Sequence, residues 1–184
     1  LNLNDSVVCA LNQKAVQTNP LTAVVTLYDM HGKMLSEEKS NITLQAHSLQ
    51  LLNKVKLPAN TNEVFFLKLQ LKDQDKVVDE NLYWLTNVRH SYEKLNDLQK
   101  VAVKAEIKAN GEKQSVIKLS NPGNETAFFI RLKVMNGSND LVLPAWFTEN
   151  FITLLPGEEK EIQLDLSTGK SSTGLNDLRL SIEG

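Results

Sequence analysis

Apolar and polar residues alternate with a period of two along much of the chain, and this pattern constrains the fold most. Successive side chains of a β-strand point to opposite faces, so each alternating run predicts a half-buried strand. The residues predicted to face inward are Ala23, Val25 and Leu27; Phe65, Leu67, Leu69 and Leu71; Val101, Val103, Ala105 and Ile107; Phe128, Ile130, Leu132 and Val134; Ile162, Leu164 and Leu166; and Leu178, Leu180 and Ile182. The chain is therefore predicted to be all-β.

Turn-forming residues separate these runs. Asn110-Gly111, Asn136-Gly137 and Pro156-Gly157 supply the backbone angles that tight connections between strands need. An immunoglobulin-like sandwich takes about 100 residues, so a chain of 184 residues has room for two. We therefore predict two tandem immunoglobulin-like antiparallel β-sandwich domains.

The pattern changes near the middle of the chain. After an apolar strand that ends at Leu85, the residues Tyr92, Leu95 and Leu98 follow at three-residue steps. This spacing predicts a short helical turn within residues 91–99, at the junction between the domains. We accordingly expect one sandwich over residues 1–88 and a second over residues 89–184.

Charge and composition exclude several classes of partner. Twenty Lys and Arg stand against 22 Asp and Glu, with a net charge of −2, so no basic surface for nucleic acid is expected. The longest apolar runs are much shorter than the roughly 20 residues of a membrane-spanning helix, so no membrane span is expected. Cys9 is the one cysteine, so it has no partner for an intrachain disulfide.

Residue types that carry chemistry do not form a recognisable site. His31, His47 and His90 lack the paired spacing of a metal site. Glycoside cleavage needs two carboxyl groups about 5–9.5 Å apart across a pocket. The acidic pairs Glu37-Glu38 and Glu158-Glu159 are sequence neighbours beside turns, which favours solvated charge. We predict no catalytic residue, no metal ligand and no cofactor.

Two tryptophans are candidates for binding sugar rings by stacking. Trp84 shares its predicted face with Leu82, and Trp146 lies between Ala145 and Phe147. Apolar surroundings favour packing in a core or at a domain interface over an exposed sugar platform. Both interpretations stay open from the sequence.

Three stretches in this order resemble a known family. They are DENLYWL at residues 79–85, SNP at 120–122 followed by TAFFIRL at 126–132, and VLPAWFTENFITLLPGE at 142–158. Together they resemble the C-terminal sandwich domains of glycoside hydrolase family two enzymes, in the branch of the β-mannosidases and exo-β-glucosaminidases. The third stretch is the most specific.

The resemblance implies a part of a larger enzyme. In that family a separate (β/α)₈ barrel of roughly 200–250 residues carries catalysis, so no residue here receives a catalytic role and this chain alone is not expected to be an enzyme. The expected parent is a retaining, exo-acting glycoside hydrolase of β-mannosidase or exo-β-glucosaminidase type. The family pattern runs slightly past Gly184 and the chain starts at Leu1, so we expect a piece excised from such a parent.

The resemblance also implies partners and a location. The expected partners are the catalytic and N-terminal domains of the parent, together with carbohydrate. Residues Trp146, Phe147, Asn150 and Phe151 are the candidates for an interface with the barrel or for a wall of its pocket. A periplasmic or secreted location is expected if the parent is a bacterial glycosidase.

The sandwich fold by itself fixes no function. Two alternatives therefore accompany the accessory role: an autonomous carbohydrate-binding module and an immunoglobulin-like protein-interaction module. The first should present a solvent-facing aromatic strip or a pocket. The second should present an exposed apolar patch or a free strand edge.

Overall fold

Every strand pair in the structure, a computed structural model, is antiparallel. The structure describes residues 1–2, 5–59, 63–88, 91–167 and 179–184. The chain forms two compact units, Leu1–Asp97 and Leu98–Gly184. One 3-10 helix, Glu93–Asp97, lies inside the segment where a helical turn is predicted. The all-β prediction is confirmed, and the domain boundary at residues 88 and 89 stays a prediction.

Over its described residues, the first unit has six strands. They are β1 (Val7–Asn12), β2 (Leu21–Asp29), β3 (Met34–Ile42), β4 (Ser48–Lys54), β5 (Val64–Asp73) and β6 (Lys76–Thr86). One sheet has the order β3-β2-β5-β6, and the other is the β1-β4 ribbon. Leu27, Phe65 and Leu67 are buried in one core cluster between them, and Ala10 belongs to a second. Ala23, Leu27, Phe65 and Leu67 on the predicted inward faces of β2 and β5 are buried, but Val24, Thr26 and Phe66 on the opposite faces are buried as well. At these positions the two strands are covered on both faces, so the half-buried pattern predicted for them is wrong.

Seven strands lie in the described part of the second unit. They are β7 (Lys104–Ala109), β8 (Gln114–Ser120), β9 (Ala127–Met135), β10 (Trp146–Phe147), β11 (Ile152–Leu154), β12 (Glu159–Asp165) and β13 (Arg179–Glu183). The two sheets have the orders β10-β12-β8-β7 and β11-β9-β13.

The core of the second unit follows the alternating pattern from Ile130 onward, whereas Phe128, also predicted to face inward, is only partly buried and stacks against the exposed Phe129. The predicted inward residues Ile130, Leu132 and Val134 of β9 are buried together with Ile162 and Leu164 of β12. Leu180 and Ile182 of β13 pack against the same core while partly exposed. Leu178, predicted to face inward with them, lies outside the described residues.

The strand predicted to begin at Val101 differs in the structure from the prediction. β7 begins only at Lys104 and all six of its residues are exposed. Ile107 pairs with the fully buried Ile117 and so shares its face, yet Ile107 is 49% exposed. Among the described strands, β7 lies at the edge of its sheet and pairs with β8 alone. The inward burial predicted for Ala105 and Ile107 is therefore wrong, because an alternating pattern predicts the face of a residue but not what covers it.

The two units repeat one pattern of strand pairing. β1 pairs with β4 as β8 pairs with β12, and the order β3-β2-β5 matches the order β11-β9-β13. Among the described strands, β6 beyond β5 has no counterpart in the second unit. Likewise β7 beyond β8 has no counterpart in the first.

Candidate functional site: the aromatic loop

The four residues predicted as an interface lie on β10 and on its connection to β11, a segment here called the aromatic loop (residues 146–151). Trp146 pairs with Asp165, and Phe147 pairs with the buried Leu164. Phe147 therefore faces inward and packs against the core, while Trp146 faces outward and is 63% exposed. The interpretation that Trp146 packs in a core is thus wrong. Its packing at a domain interface stays a prediction.

Polar residues fix the middle of the aromatic loop to β12. The Thr148 backbone N–H donates to the Gln163 carbonyl oxygen at 3.0 Å. In return the Gln163 N–H donates to Thr148 Oγ1, also at 3.0 Å. Lys160 Nζ lies 2.7 Å from Glu149 Oε2. These contacts hold the loop to one sheet before it crosses to the other.

Asn150 fixes the end of the aromatic loop to β9. Its Nδ2 donates to the Leu132 carbonyl oxygen at 3.0 Å, and its Oδ1 accepts from the Leu132 N–H at 2.8 Å. Ile152 pairs with Ile130, so Asn150 stands at the next ladder position, opposite Leu132. The side-chain amide takes the place of the backbone pair there, because the backbone turns away at Phe151.

An aromatic group lies next to this anchor, on the outer side of the β11-β9-β13 sheet. The ring centroids of Phe129 and Phe151 are 4.9 Å apart, and those of Phe128 and Phe129 are 5.6 Å apart. The Arg131 guanidinium carbon lies 5.9 Å from the centroid of the Phe151 ring, within range of a cation–π interaction. Phe129 is 44% exposed and Phe151 is 48% exposed, so this group offers aromatic surface to solvent.

Both exposed rings sit on unusual backbone. Phe129 has φ 56° and Phe151 has φ 57°, in the left-handed region that bulky residues rarely adopt. The register between β9 and β11 shifts at this point, which is the mark of a β-bulge. Strain at non-glycine residues costs about 1–3 kcal/mol each and concentrates at binding sites. The strain therefore makes this surface a candidate binding site.

Hydrogen bonds also order the outer face around Trp146. The Ser167 N–H donates to Asp165 Oδ1 at 2.7 Å, and Gln114 Nε2 donates to Asp165 Oδ2 at 3.0 Å. Bonds from Ser167 first, then from Gln114, hold the pKa of the Asp165 carboxyl below its ordinary value. A carboxylate thus lies beside the exposed indole at neutral pH.

The acidic pairs have structural roles. Glu158 Oε2 accepts from the Leu155 N–H at 3.0 Å within a turn, and Glu159 pairs with Lys118 at 2.8 Å. The hydrogen bond and charge of Glu159 raise the pKa of Lys118. Glu37 pairs with Lys39, and Glu38 accepts from Asn53. Over the described residues these pairs form no facing dyad.

Within the described ranges, the His, Cys, Asp and Glu side chains form no group of three that would hold a metal ion. Those ranges also hold no helix with the length and apolar character to cross a membrane.

Phe129 and Arg131 also belong to this surface, although the sequence analysis did not name them as site residues. The alternation places Ile130 and Leu132 inward and Phe129 and Arg131 on the opposite face, but it did not predict the contact of Phe129 with Phe151, which depends on pairing with β11. Both residues lie in the second stretch of the family resemblance, at residues 126–132. Chemically, the assembled surface presents aromatic ring faces to solvent, which are suited to packing against apolar or aromatic groups.

Two family models match this chain. Residues 81–184 match the model of the exo-β-D-glucosaminidase Ig-fold domain. Residues 7–90 match the model of the mannosidase Ig/CBM-like domain. The predicted resemblance is confirmed in both units.

Curated relatives are much longer than this chain. The chain is 28% identical to an exo-β-D-glucosaminidase of Arthroderma benhamiae, over 86% of this chain and 20% of the relative. It is 25% identical to an exo-β-D-glucosaminidase of Hypocrea virens, over 89% of this chain and 21% of the relative. The chain thus spans about a fifth of the length of these relatives.

Solved structures support the fold. An exo-chitosanase of Amycolatopsis orientalis, CsxA, superposes with a TM-score of 0.77 at 22% identity, over 98% of this chain and 26% of that chain. A β-D-mannosidase of Dictyoglomus thermophilum superposes with a TM-score of 0.62 at 15% identity, over 96% of this chain and 21% of that chain. At these identities the likeness concerns the fold alone.

Proposed function

Because the chain belongs to the exo-β-D-glucosaminidase Ig-fold domain family, we propose that residues 1–184 are non-catalytic accessory domains of a longer glycoside hydrolase. The observation that carries this proposal is the match of both units to immunoglobulin-like domains of such enzymes, over only 20–21% of the relatives' length. The acidic pairs of this chain have structural partners, which supports catalysis by another part of the parent.

The proposed activity of the parent is removal of β-linked glucosamine from a non-reducing end. Four curated relatives carry the name exo-β-D-glucosaminidase. Retention through two carboxylates is the mechanism that the family resemblance implies. A β-mannoside is the second candidate substrate, supported by the mannosidase-type model of the first unit.

The aromatic loop is the proposed contact with the parent's catalytic barrel, at its side or at the wall of its pocket. Trp146 and Phe151 are exposed at the two ends of the loop. The residues between these ends that fix the loop are Thr148, Glu149 and Asn150. Phe147 anchors the loop to the core. A fixed loop presents aromatic rings at little entropic cost, because few side chains remain to be ordered on contact.

Replacement of Trp146 tests this role in the whole protein. Trp146→Ala removes the exposed indole without opening the core, so the second unit should still fold. We expect either kcat/KM to fall at least tenfold or the melting temperature of the catalytic domain to fall. Val16→Ala, at a residue that is 65% exposed in the first unit, is the control. Unchanged turnover and unchanged melting of the Trp146→Ala enzyme would remove the loop from the interface.

Sugar binding by the fragment separates the accessory role from an autonomous binding module. The aromatic rings favour this second candidate because they stack on sugars. Titration of residues 1–184 with glucosamine oligomers should release no binding heat if the role is accessory. Saturable heat that disappears in Trp146→Ala would establish a binding module instead.

A further inference from the structure

The first unit has an apolar cleft of about 640 Å³ between its sheets, lined by β1 on one side and by β5 and β6 on the other. Leu69, Leu71 and Tyr83 line it and are only partly buried, while Leu67 of the same face is fully buried. The large sheet has four strands and the facing ribbon has two. The cleft therefore lies where inward-facing apolar residues extend beyond the ribbon.

The second unit identifies the strand that would cover such a cleft. Asn12 Nδ2 donates to Val16 O and Leu44 O, and Asn12 Oδ1 accepts from Lys14 N. The second unit repeats this set: Asn121 Nδ2 donates to Glu125 O and Leu154 O, and Asn121 Oδ1 accepts from Gly123 N. The end of β1 thus corresponds to the end of β8. β8 has β12 on one edge and β7 on the other, whereas β1 has only β4 among the described strands.

One antiparallel bridge is already present on the edge of β1 that faces away from β4. The Asn2 N–H donates to the Val7 carbonyl oxygen at 2.8 Å, in an antiparallel bridge. Backbone groups alternate in direction along a strand, so the N–H and C=O groups of Cys9 and Leu11 point to the same side as those of Val7. Leu1 itself lines the cleft.

We propose that β1 accepts an antiparallel strand of the longer parent polypeptide, joined to Leu1, which closes this cleft as β7 flanks β8. The inference rests on the proposed function, since that supplies the longer polypeptide. The strand continues the register of the Asn2 and Val7 bridge. Its alternate residues are apolar and pack against Leu69, Leu71 and Tyr83, while its backbone bonds to Cys9 and Leu11.

Hydrogen exchange in residues 1–184 and in the parent protein tests the proposal. We expect the amides of Cys9 and Leu11 to exchange at least tenfold more slowly in the parent, because new ladder bonds protect them. Amides of β8, which has neighbours on both edges in either protein, are the control. Equal exchange of Cys9 and Leu11 in the two proteins would overturn the proposal. So would protection in residues 1–184 alone that rises with protein concentration, which indicates a strand from a second copy.

A pair of proline variants gives an independent test. The Leu11 N–H points to the open edge, so Leu11→Pro removes no ladder bond from residues 1–184 and should lower its melting temperature only slightly. In the parent the same variant removes a bond to the added strand and should lower the melting temperature clearly more. Ala10→Pro removes a bond to β4 in both proteins and is the control. An equal effect of Leu11→Pro in both proteins contradicts the inference.

Glycosidase activity of the same parent sample separates this inference from the proposed function. Protected amides in an inactive parent would uphold the added strand and reject the enzyme. Exposed amides in an active parent would reject the strand and uphold the enzyme.

Discussion

The side chain of Asn150 pairs with the backbone of Leu132 through two hydrogen bonds, of 3.0 and 2.8 Å, and so continues the β9–β11 ladder where the backbone departs from it. The same Oδ1 accepts from the Phe151 N–H at 2.9 Å. One amide thereby satisfies both backbone groups of a buried strand residue and positions the left-handed turn that exposes Phe151. The geometry of the aromatic loop depends on this residue.

Asn150→Asp should destabilise the second unit. The aspartate has no N–H to donate to the Leu132 carbonyl, which is left beside a carboxylate oxygen. An unsatisfied, partly buried polar group costs about 1–3 kcal/mol, and we expect the free energy of unfolding to fall by about that amount in chemical denaturation. Asn124→Asp, at an exposed turn residue of the same unit, is the control. A loss as small as that of the control would show that the amide is not an anchor.

Asn12 and Asn121 should each stabilise its own unit. Removal of either amide leaves buried carbonyl oxygens without their donor, so Asn12→Ala and Asn121→Ala should each lower the free energy of unfolding by about 2–4 kcal/mol. Trp84 lies in the first unit and Trp146 in the second, and the chain has two Trp. Fluorescence in Trp84→Phe and Trp146→Phe backgrounds therefore reports each unit separately. Loss of stability in the opposite unit alone would contradict the assignment.

Phe151→Gly should change the stability of residues 1–184 little. Glycine relieves the strain at φ 57°, a gain of about 1 kcal/mol. Loss of the ring pair with Phe129 costs about 0.5–1.5 kcal/mol. The two effects nearly cancel, so we expect a change within about 1 kcal/mol in thermal or urea unfolding. Phe147→Ala, which removes a ring packed on the core, should cost clearly more. A large loss in Phe151→Gly would mean that the ring serves the fold rather than a contact surface.

Acid should weaken the structure around Asp165. The pKa of this carboxyl is lower in the folded chain than its ordinary value of 3.8, because Ser167 and then Gln114 donate hydrogen bonds to it. A group with a lowered folded pKa stabilises the fold above its unfolded pKa, and this contribution is lost as the pH falls through the folded pKa. Wild type should therefore be more stable than Asp165→Asn at pH 7.

The difference in unfolding free energy between wild type and Asp165→Asn should shrink below pH 4 or so. A difference for Asp165→Asn that is independent of pH would contradict the assigned hydrogen bonds.

Local patterning predicted much of this fold. The alternation in β9 correctly placed Ile130 and Leu132 in the core, because a central strand has apolar neighbours on its inner face whatever the details of pairing. The third stretch of family resemblance drew attention to Trp146 and Phe151, both of which are exposed in the structure. These features depend on residues close together in the chain.

Features set by distant strands could not be predicted in the same way. The contact of Phe129 with Phe151 follows from the register of β9 with β11, and the exposure of Ile107 follows from the edge position of β7. The repeat of the two units did leave a signal: Ile-Thr-Leu occurs at residues 42–44 and again at 152–154. Both copies bury the Ile and the Leu, and both follow a buried Asn by a similar interval.

The most direct test of the proposed function is hydrolysis of chromogenic β-D-glucosaminide and β-D-mannoside by the parent protein and by residues 1–184, side by side. We expect the parent to release the chromophore, with the glucosaminide preferred, and residues 1–184 to release none. Hydrolysis by residues 1–184 alone, or a well-folded parent that cleaves neither substrate, would contradict it.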